Sequence, residues 1–450
     1  MVLIRRSTVV GFILAFVLST VLLGGCSESL FGAHRGGQGS GGDDGGGDDG
    51  GVNGVSGCAD PCNADAATDF DGTVHGAHDR WRYLDDHRDR TWATMTVGGQ
   101  VMSGADPRTH ITTCAAHPEA PACGPLPGAL LISNGASDAD PAIELTVAAA
   151  QVIDLELKAF VPTGQGTQTI RLYRNSREDV LFTGTATAGT ALDQVITLDA
   201  LPGDRFLVAV APVASGATDV GLQLTTRANG ATFPSSCKLA LPFTTATGNT
   251  TPDPCGGPTF NYFAAMGNTS KPPMLVAGPF PEQGKAATIL AGEYFQRGMD
   301  DRQTFQWPQE FTVQFWFRVN PIVGNQFNNI FSDWDSQSCG GVGIDLSPAA
   351  PELAVHMCQF WTATTYAEAD LVYRTFDLEA GWQFLRVVRT STSGYMCLNG
   401  SRVQTASVMS QSYTGHLLSL GRENSLPTTG AYFDGLIDDV RVISGALPCE

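Results

Sequence analysis

The amino-acid sequence predicts an all-β protein of two antiparallel sandwiches, and three observations carry that expectation. Past residue 57 the apolar residues come in short runs bounded by Gly, Pro, Asn or Asp, alternating or clustering as strands do. The first folded half holds no stretch with the spacing of an amphipathic helix. In the second half Asn399-Gly400 separates two apolar runs. That dipeptide is the strongest short hairpin signal, because both residues tolerate the positive φ of a type I′ turn.

The chain opens differently. Arg5 and Arg6 form a charged start, Val9 to Leu23 an apolar stretch short for a stable transmembrane helix, and Leu23-Gly24-Gly25-Cys26 a small-residue cleavage site. The segment resembles the lipobox of bacterial lipoproteins, in which the residue corresponding to Cys26 becomes the lipid-modified N-terminus. Gly24 stands where Ala or Ser is more usual. Ser27, in place of Asp, resembles the sorting signal for the outer membrane of diderm bacteria. The resemblance implies a signal peptide over 1–25, lipidation at Cys26 and a cell-envelope location, at the outer membrane or cell surface. An uncut signal anchor is the alternative.

Residues 26–57 read as a disordered tether. From Gly36 to Gly57 the chain is nearly all Gly and Asp, and only Val52 and Val55 are apolar, so no core offsets the entropy of ordering it. Asp43, Asp44, Asp48 and Asp49 extend the coil by self-repulsion. A calcium-binding Gly/Asp repeat needs an apolar residue at a fixed place in each repeat, and none is there. The formal net charge of −19 and a pI near 4.7 argue against nucleic acid or anionic lipid as partners.

Of the 11 cysteines, Cys26 stands at the expected cleavage site, just after the 1–25 segment. Cys58, Cys62, Cys114 and Cys123 fall in the first half; Cys237, Cys255, Cys339, Cys358, Cys397 and Cys449 fall in the second. Even sets behind an export signal imply two and three disulfides. Cys58 and Cys62 are the only close pair, and no second pair stands at zinc-ligand spacing.

The first folded half, 58–230, reads as strand almost throughout. Ala129–Ile132, Val152–Leu157 and Thr169–Tyr173 are short and β-rich, and Phe206, Val208 and Val210 share one face of a run from Asp204 to Val210. This half looks like the β-sandwich accessory modules found beside carbohydrate-active and other exported bacterial proteins. His75, His78, His87, Asp79, Asp85, Asp86 and Asp89 crowd one segment. They share no helical or strand phase, so a solvated loop before the first strand is expected rather than a metal site.

The second half, 231–450, carries the clearest pattern. In Glu310–Val319, Phe311, Val313, Phe315, Phe317 and Val319 fall on one face, while Thr312, Gln314, Trp316 and Arg318 face the other way. The motifs FTVQFWFRV, GWQFLRVVR, CLNG and FDGLIDDVRVI follow in order. Their succession resembles the laminin-G-like, or concanavalin-A-like, jelly roll. In such folds the first and last strands lie side by side, which implies that a Cys237–Cys449 bridge could close the domain.

Chemistry is less evident. Sugar-cleaving members of the superfamily carry two or three carboxylates alternating on one strand, and the sequence has no Glu-x-Asp-x-Glu run. Asp438 and Asp439 are adjacent and expected on opposite faces. No Gly-x-Ser-x-Gly elbow, His-Glu-x-x-His helix or phosphate loop accompanies them. The expectation is therefore a non-catalytic surface protein binding a glycan or an extracellular protein. A structural part of an envelope complex is the rival, and a hydrolase of unrecognised type the third reading. Candidate ligand-binding residues are Trp316, outward on a central strand, with Trp334, Trp361 and Tyr366 on expected rims. Shielding by a neighbouring loop is the alternative for Trp316. Calcium is the cofactor the resemblance leaves open, with Asp333 and Asp335 as first candidates to hold it.

Overall fold

The computed structural model describes residues 64–70, 81–87, 91–98, 101–105, 108–135, 140–211, 218–243, 246–263, 272–279, 285–290, 292–297, 305–320, 328–333, 341–347, 351–361, 366–409, 414–415, 418–422 and 432–449. Cys26, the tether, Cys58, Cys62, Cys339, Trp334 and Asp335 lie outside the described residues. All described residues belong to one compact unit, and their regular structure is strand.

Two cores form in sequence order. The first sandwich packs an eight-stranded sheet, in which Gln151–Phe160 lies between Leu192–Ala200 and Thr218–Ala228, against a six-stranded sheet that has Arg205–Val210 in its middle. Phe206, Val208 and Val210 point into that core, as their alternation requires. The expected loop at the acidic and histidine-rich segment is corrected for Asp85, Asp86 and His87, while His75, His78, Asp79 and Asp89 lie outside the described residues. Trp81–His87 is a strand, paired with Pro141–Thr146 on one side and Thr91–Thr94 on the other. Its signal is the alternation of Trp81 and Tyr83, both fully buried, while Arg82 between them meets Glu144. Asp85 is buried as well, and accepts the Ala105 backbone N–H at 3.0 Å.

The second sandwich runs from Cys237. Its inner sheet has the order Leu275–Ala277, Lys285–Ile289, Gly435–Ser444, Phe311–Val319, Gln383–Arg389, Ser393–Leu398, Ser401–Ser407. Cys237–Leu241 also pairs with Gly435–Ser444, so first and last strands are neighbours. The outer sheet has eight strands and ends Asn328–Ser332, Val342–Ser347, Glu352–Trp361, Tyr366–Tyr373. Phe311, Val313, Phe315, Phe317 and Val319 all enter the core between the two sheets. Asn399 and Gly400 turn the hairpin with φ of 49° and 82°.

Three bridges are described: Cys114–Cys123, Cys237–Cys255 and Cys397–Cys449; Cys358 is also disulfide-bonded. The expected Cys237–Cys449 pairing is thus overturned. Cys237 does lie on the strand beside the last one, opposite Ile443, but Cys449 is six residues further on. The chain beyond Ser444 turns back across the inner sheet. Thr312 accepts the Leu447 N–H at 2.9 Å and Tyr395 donates to the Leu447 carbonyl at 2.8 Å. That path carries Cys449 to Cys397 instead.

Candidate functional site

The outward side of the inner sheet, where Trp316 was expected to meet a ligand, is covered by the first sandwich. Strand register sets Gln314 beside Arg386 and Arg441, and Trp316 beside Phe384 and Asp438. Asp179, from the first sandwich, accepts from Gln314 at 2.9 Å and from Arg386, whose Nη1 also donates to the Val180 carbonyl at 3.1 Å. Arg441 holds both oxygens of Asp204, at 3.0 and 2.6 Å. Burial alone would raise both carboxylates. The guanidiniums reverse this, Arg174 and Arg386 for Asp179 and Arg441 for Asp204, and hold them below the usual range. Trp316 is consequently 7 % exposed, beside Leu201, Pro202 and Gly203 of the other sandwich. The shielding alternative describes it, with a whole domain rather than a loop as the shield.

Asp438 and Asp439 correct a second expectation. Asp439 has a φ of 46°, and the strand carries one extra residue opposite Gln314–Trp316. This bulge breaks the alternation, so both carboxylates line the same small cleft with Trp316. Asp439 accepts from Arg441 at 2.6 Å. Asp438 is pushed up to about 8, first by burial and then by the charge of Asp439.

Asp333 is not a rim residue either. It is fully buried and accepts from the Trp307 indole, from Gly341 N at 2.7 Å and from Val342 N at 3.1 Å. Those donors occupy the oxygens that calcium would have used, and they fasten the two ends of the loop between Asp333 and Gly341. Trp361 and Tyr366 are register partners at the end of one outer-sheet hairpin.

The polar cluster that does face outward lies on that same hairpin and was not anticipated. Alternation puts core residues Val355, Met357, Ala369 and Leu371 on one side, and His356, Glu368 and Asp370 on the other. His356 Nδ1 meets Asp370 at 2.8 Å, and its Nε2 meets Asp345 of the neighbouring strand at 3.3 Å. Asn329 donates to Asp345 at 2.6 Å, extending the row by one more strand. Burial alone would lower the imidazole, but hydrogen bonds and charge from Asp345, then Asp370, raise it to about 9. It is an imidazolium at neutral pH. Burial also raises Glu368, aided by the negative charges of Asp370 and Asp345 and opposed by His356. The Asp370 side chain is 48 % exposed.

One ligand atom each from His356, Glu368 and Asp370 lies within 4.8 Å of the others. A nitrogen among carboxylates suits a transition metal better than calcium, but a metal must first displace the proton that two carboxylates hold on His356. At neutral pH the arrangement offers carboxylate acceptors around a fixed cation. The sequence carries a signal for it: Glu368-Ala369-Asp370 is an alternating carboxylate pair, one member short of a Glu-x-Asp-x-Glu run.

Residues 295–450 match the family described as the concanavalin A-like lectin/glucanases superfamily, a laminin-G type. The C-terminal sandwich is a concanavalin-A-like jelly roll. No curated protein matches the chain. Among solved structures, domain 4 of an extracellular arabinanase of Geobacillus stearothermophilus, in complex with arabinotriose, is similar at 16% identity and a TM-score of 0.32. That match covers 47% of this chain and 93% of that one. Botulinum neurotoxin type C, whose cell entry depends on two ganglioside molecules, is similar at 15% identity and a TM-score of 0.33, over 47% of this chain and 48% of that one. The binding domain of botulinum neurotoxin DC in complex with SialylT gives 14% and 0.33, over 47% and 49%. The similarity thus takes in about half of each toxin chain, and at these scores it decides nothing about this protein's ligand.

Proposed function

We propose that the protein is an exported, non-catalytic surface lipoprotein, acylated at Cys26 and raised off the outer membrane by the 26–57 segment. It binds a glycan through the outward face of the outer sheet of its jelly roll. The observation that carries this reading is the row of Asp345, His356, Glu368 and Asp370 across three neighbouring strands. Sugar hydroxyls donate to carboxylates, and each carboxylate has about four lone-pair directions, of which the imidazolium takes one from Asp345 and one from Asp370. The remaining acceptors are held in fixed geometry, which lowers the ordering cost of binding. Trp361 and Tyr366 are register partners at the end of the same hairpin, and aromatic residues are a type that stacks on sugar rings. The superfamily match of this domain supports the same reading.

One observation favours a second reading, hydrolysis. Glu368 is held toward its protonated form, as a general acid is, beside Asp370 on the same strand face. Against it, Asp370 is committed to the His356 imidazolium, which weakens it as a nucleophile or base. A glycan-array screen of the whole chain, with calcium and with chelator, separates the readings when array hits are also assayed for released sugar. Binding without release supports the lectin-type reading. Release of reducing sugar supports the hydrolase, and a blank array refutes both in favour of a structural part of the envelope.

A further inference from the structure

The outward face of the outer sheet also has the make-up of a metal site. His356 stands on Glu352–Trp361, and Glu368 and Asp370 stand two residues apart on Tyr366–Tyr373. Antiparallel register sets His356 opposite Asp370, and strand alternation turns Glu368 to the same face. One ligand atom from each of the three lies within 4.8 Å of the others. An ion with bonds of about 2.0–2.2 Å to nitrogen and oxygen gathers such atoms after small side-chain shifts.

The two imidazole nitrogens have different surroundings. Nδ1 lies 2.8 Å from an oxygen of Asp370, one of the three. Nε2 lies 3.3 Å from Asp345 on the neighbouring strand, and Asn329 donates to Asp345 at 2.6 Å. Asp345 thus orients the ring from the far side and is itself held in place. Metal-bound imidazoles are supported in this way, with the second ring N–H on a carboxylate that fixes the tautomer and the ring plane.

We propose that His356 Nδ1, Glu368 and Asp370 bind one divalent transition-metal ion such as Zn²⁺, with Asp345 and Asn329 as the outer support of the histidine. Charge agrees with this. The ion sends the Nδ1 proton to solvent, two carboxylates then balance its charge, and Asp345 keeps the Nε2 proton. Burial raises Glu368, His356 lowers it, and Asp370 and Asp345 raise it again, as in a place short of positive charge. Donor type selects the ion. Calcium takes about six to eight oxygens, whereas one imidazole with two carboxylates suits zinc. The Asp370 side chain is 48 % exposed, so the ion enters from solvent and a fourth position stays open to water or to a ligand oxygen. Protein side chains alone hold the ion, so the inference does not depend on the glycan reading.

The test is calorimetric titration of the whole, disulfide-intact chain, stripped with chelator, using Zn²⁺, Mg²⁺ and Ca²⁺ in separate runs. Zn²⁺ should bind, with Mg²⁺ and Ca²⁺ at least about tenfold weaker at the same site. Other histidines of the chain can also take Zn²⁺, so the variants decide. His356→Gln and Glu368→Gln should each remove one Zn²⁺ per chain from the stoichiometry. Asp345→Asn should keep that ion but weaken it about 10–100-fold. A cooperative circular-dichroism melt without metal checks that each variant is folded. Glu368→Gln, which keeps both partners of His356, decides the matter where His356→Gln does not fold. Zn²⁺ binding equal in wild type and Glu368→Gln overturns the proposal. So does Ca²⁺ bound as tightly as Zn²⁺, or Asp345→Asn binding Zn²⁺ as wild type does.

Discussion

The two sheets of the jelly roll both carry charged residues on their outward sides, and they use them in opposite ways. On the inner sheet Arg386 and Arg441 are at most 3 % exposed, each closed by an aspartate of the other sandwich. On the outer sheet His356 is also paired twice, but its partners are half-open and belong to its own sheet. The same chemistry is cement on one side and a presented surface on the other. Burial makes the difference. Desolvated pairs are expensive to break, whereas exposed pairs contribute little to stability and keep lone pairs available.

The largest break of this contrast is expected from Arg386→Met. It leaves Asp179 with one guanidinium and removes the bonds to Gln314 and Val180, so urea unfolding should show a loss of about 3–5 kcal/mol. Removing the Cys397–Cys449 bridge, as the paired Ser variant, should cost about 2–4 kcal/mol by the same measurement, because it frees the tail that crosses the inner sheet.

The pH dependence sharpens the comparison. Asp438 has a folded value of about 8 against 3.8, so the folded state holds its proton more tightly than the unfolded one. Its contribution is full below about pH 4 and is lost as pH rises toward 8. Asp438→Asn should flatten that part of the Tm profile. His356, raised from 6.5 to about 9, stabilises fully below pH 6.5 and loses its contribution as pH rises through 9. His356→Gln should therefore lower the Tm at pH 7 and leave it near that of the wild type above about pH 9, where the wild-type contribution is already gone.

The sequence makes the strands legible and the junction illegible for one physical reason. Alternation is local: Phe311 to Val319 declares its core face without knowledge of any other segment. What covers the opposite face is not local, since Gln314 meets Asp179 across 135 positions of sequence. Trp316 therefore reads as outward, which it is, and as exposed, which it is not. The adjacency of first and last strands is legible from the resemblance to the jelly roll, but the disulfide is not, because Cys449 lies past the strand end where alternation carries no information. Asp438 and Asp439 defeat the rule by a bulge. Glu368 and Asp370 were readable as a pair, while His356 and Asp345 join them only through strand register.

The most direct test compares the two faces on one ligand. The strongest array glycan is titrated against the wild-type chain, the double variant His356→Gln with Asp370→Asn, and Trp316→Phe. The double variant should lose at least about tenfold in affinity, the equivalent of about 1.4 kcal/mol, while Trp316→Phe should bind as wild type. Loss in Trp316→Phe with the double variant unchanged would contradict it and move the ligand to the junction between the sandwiches.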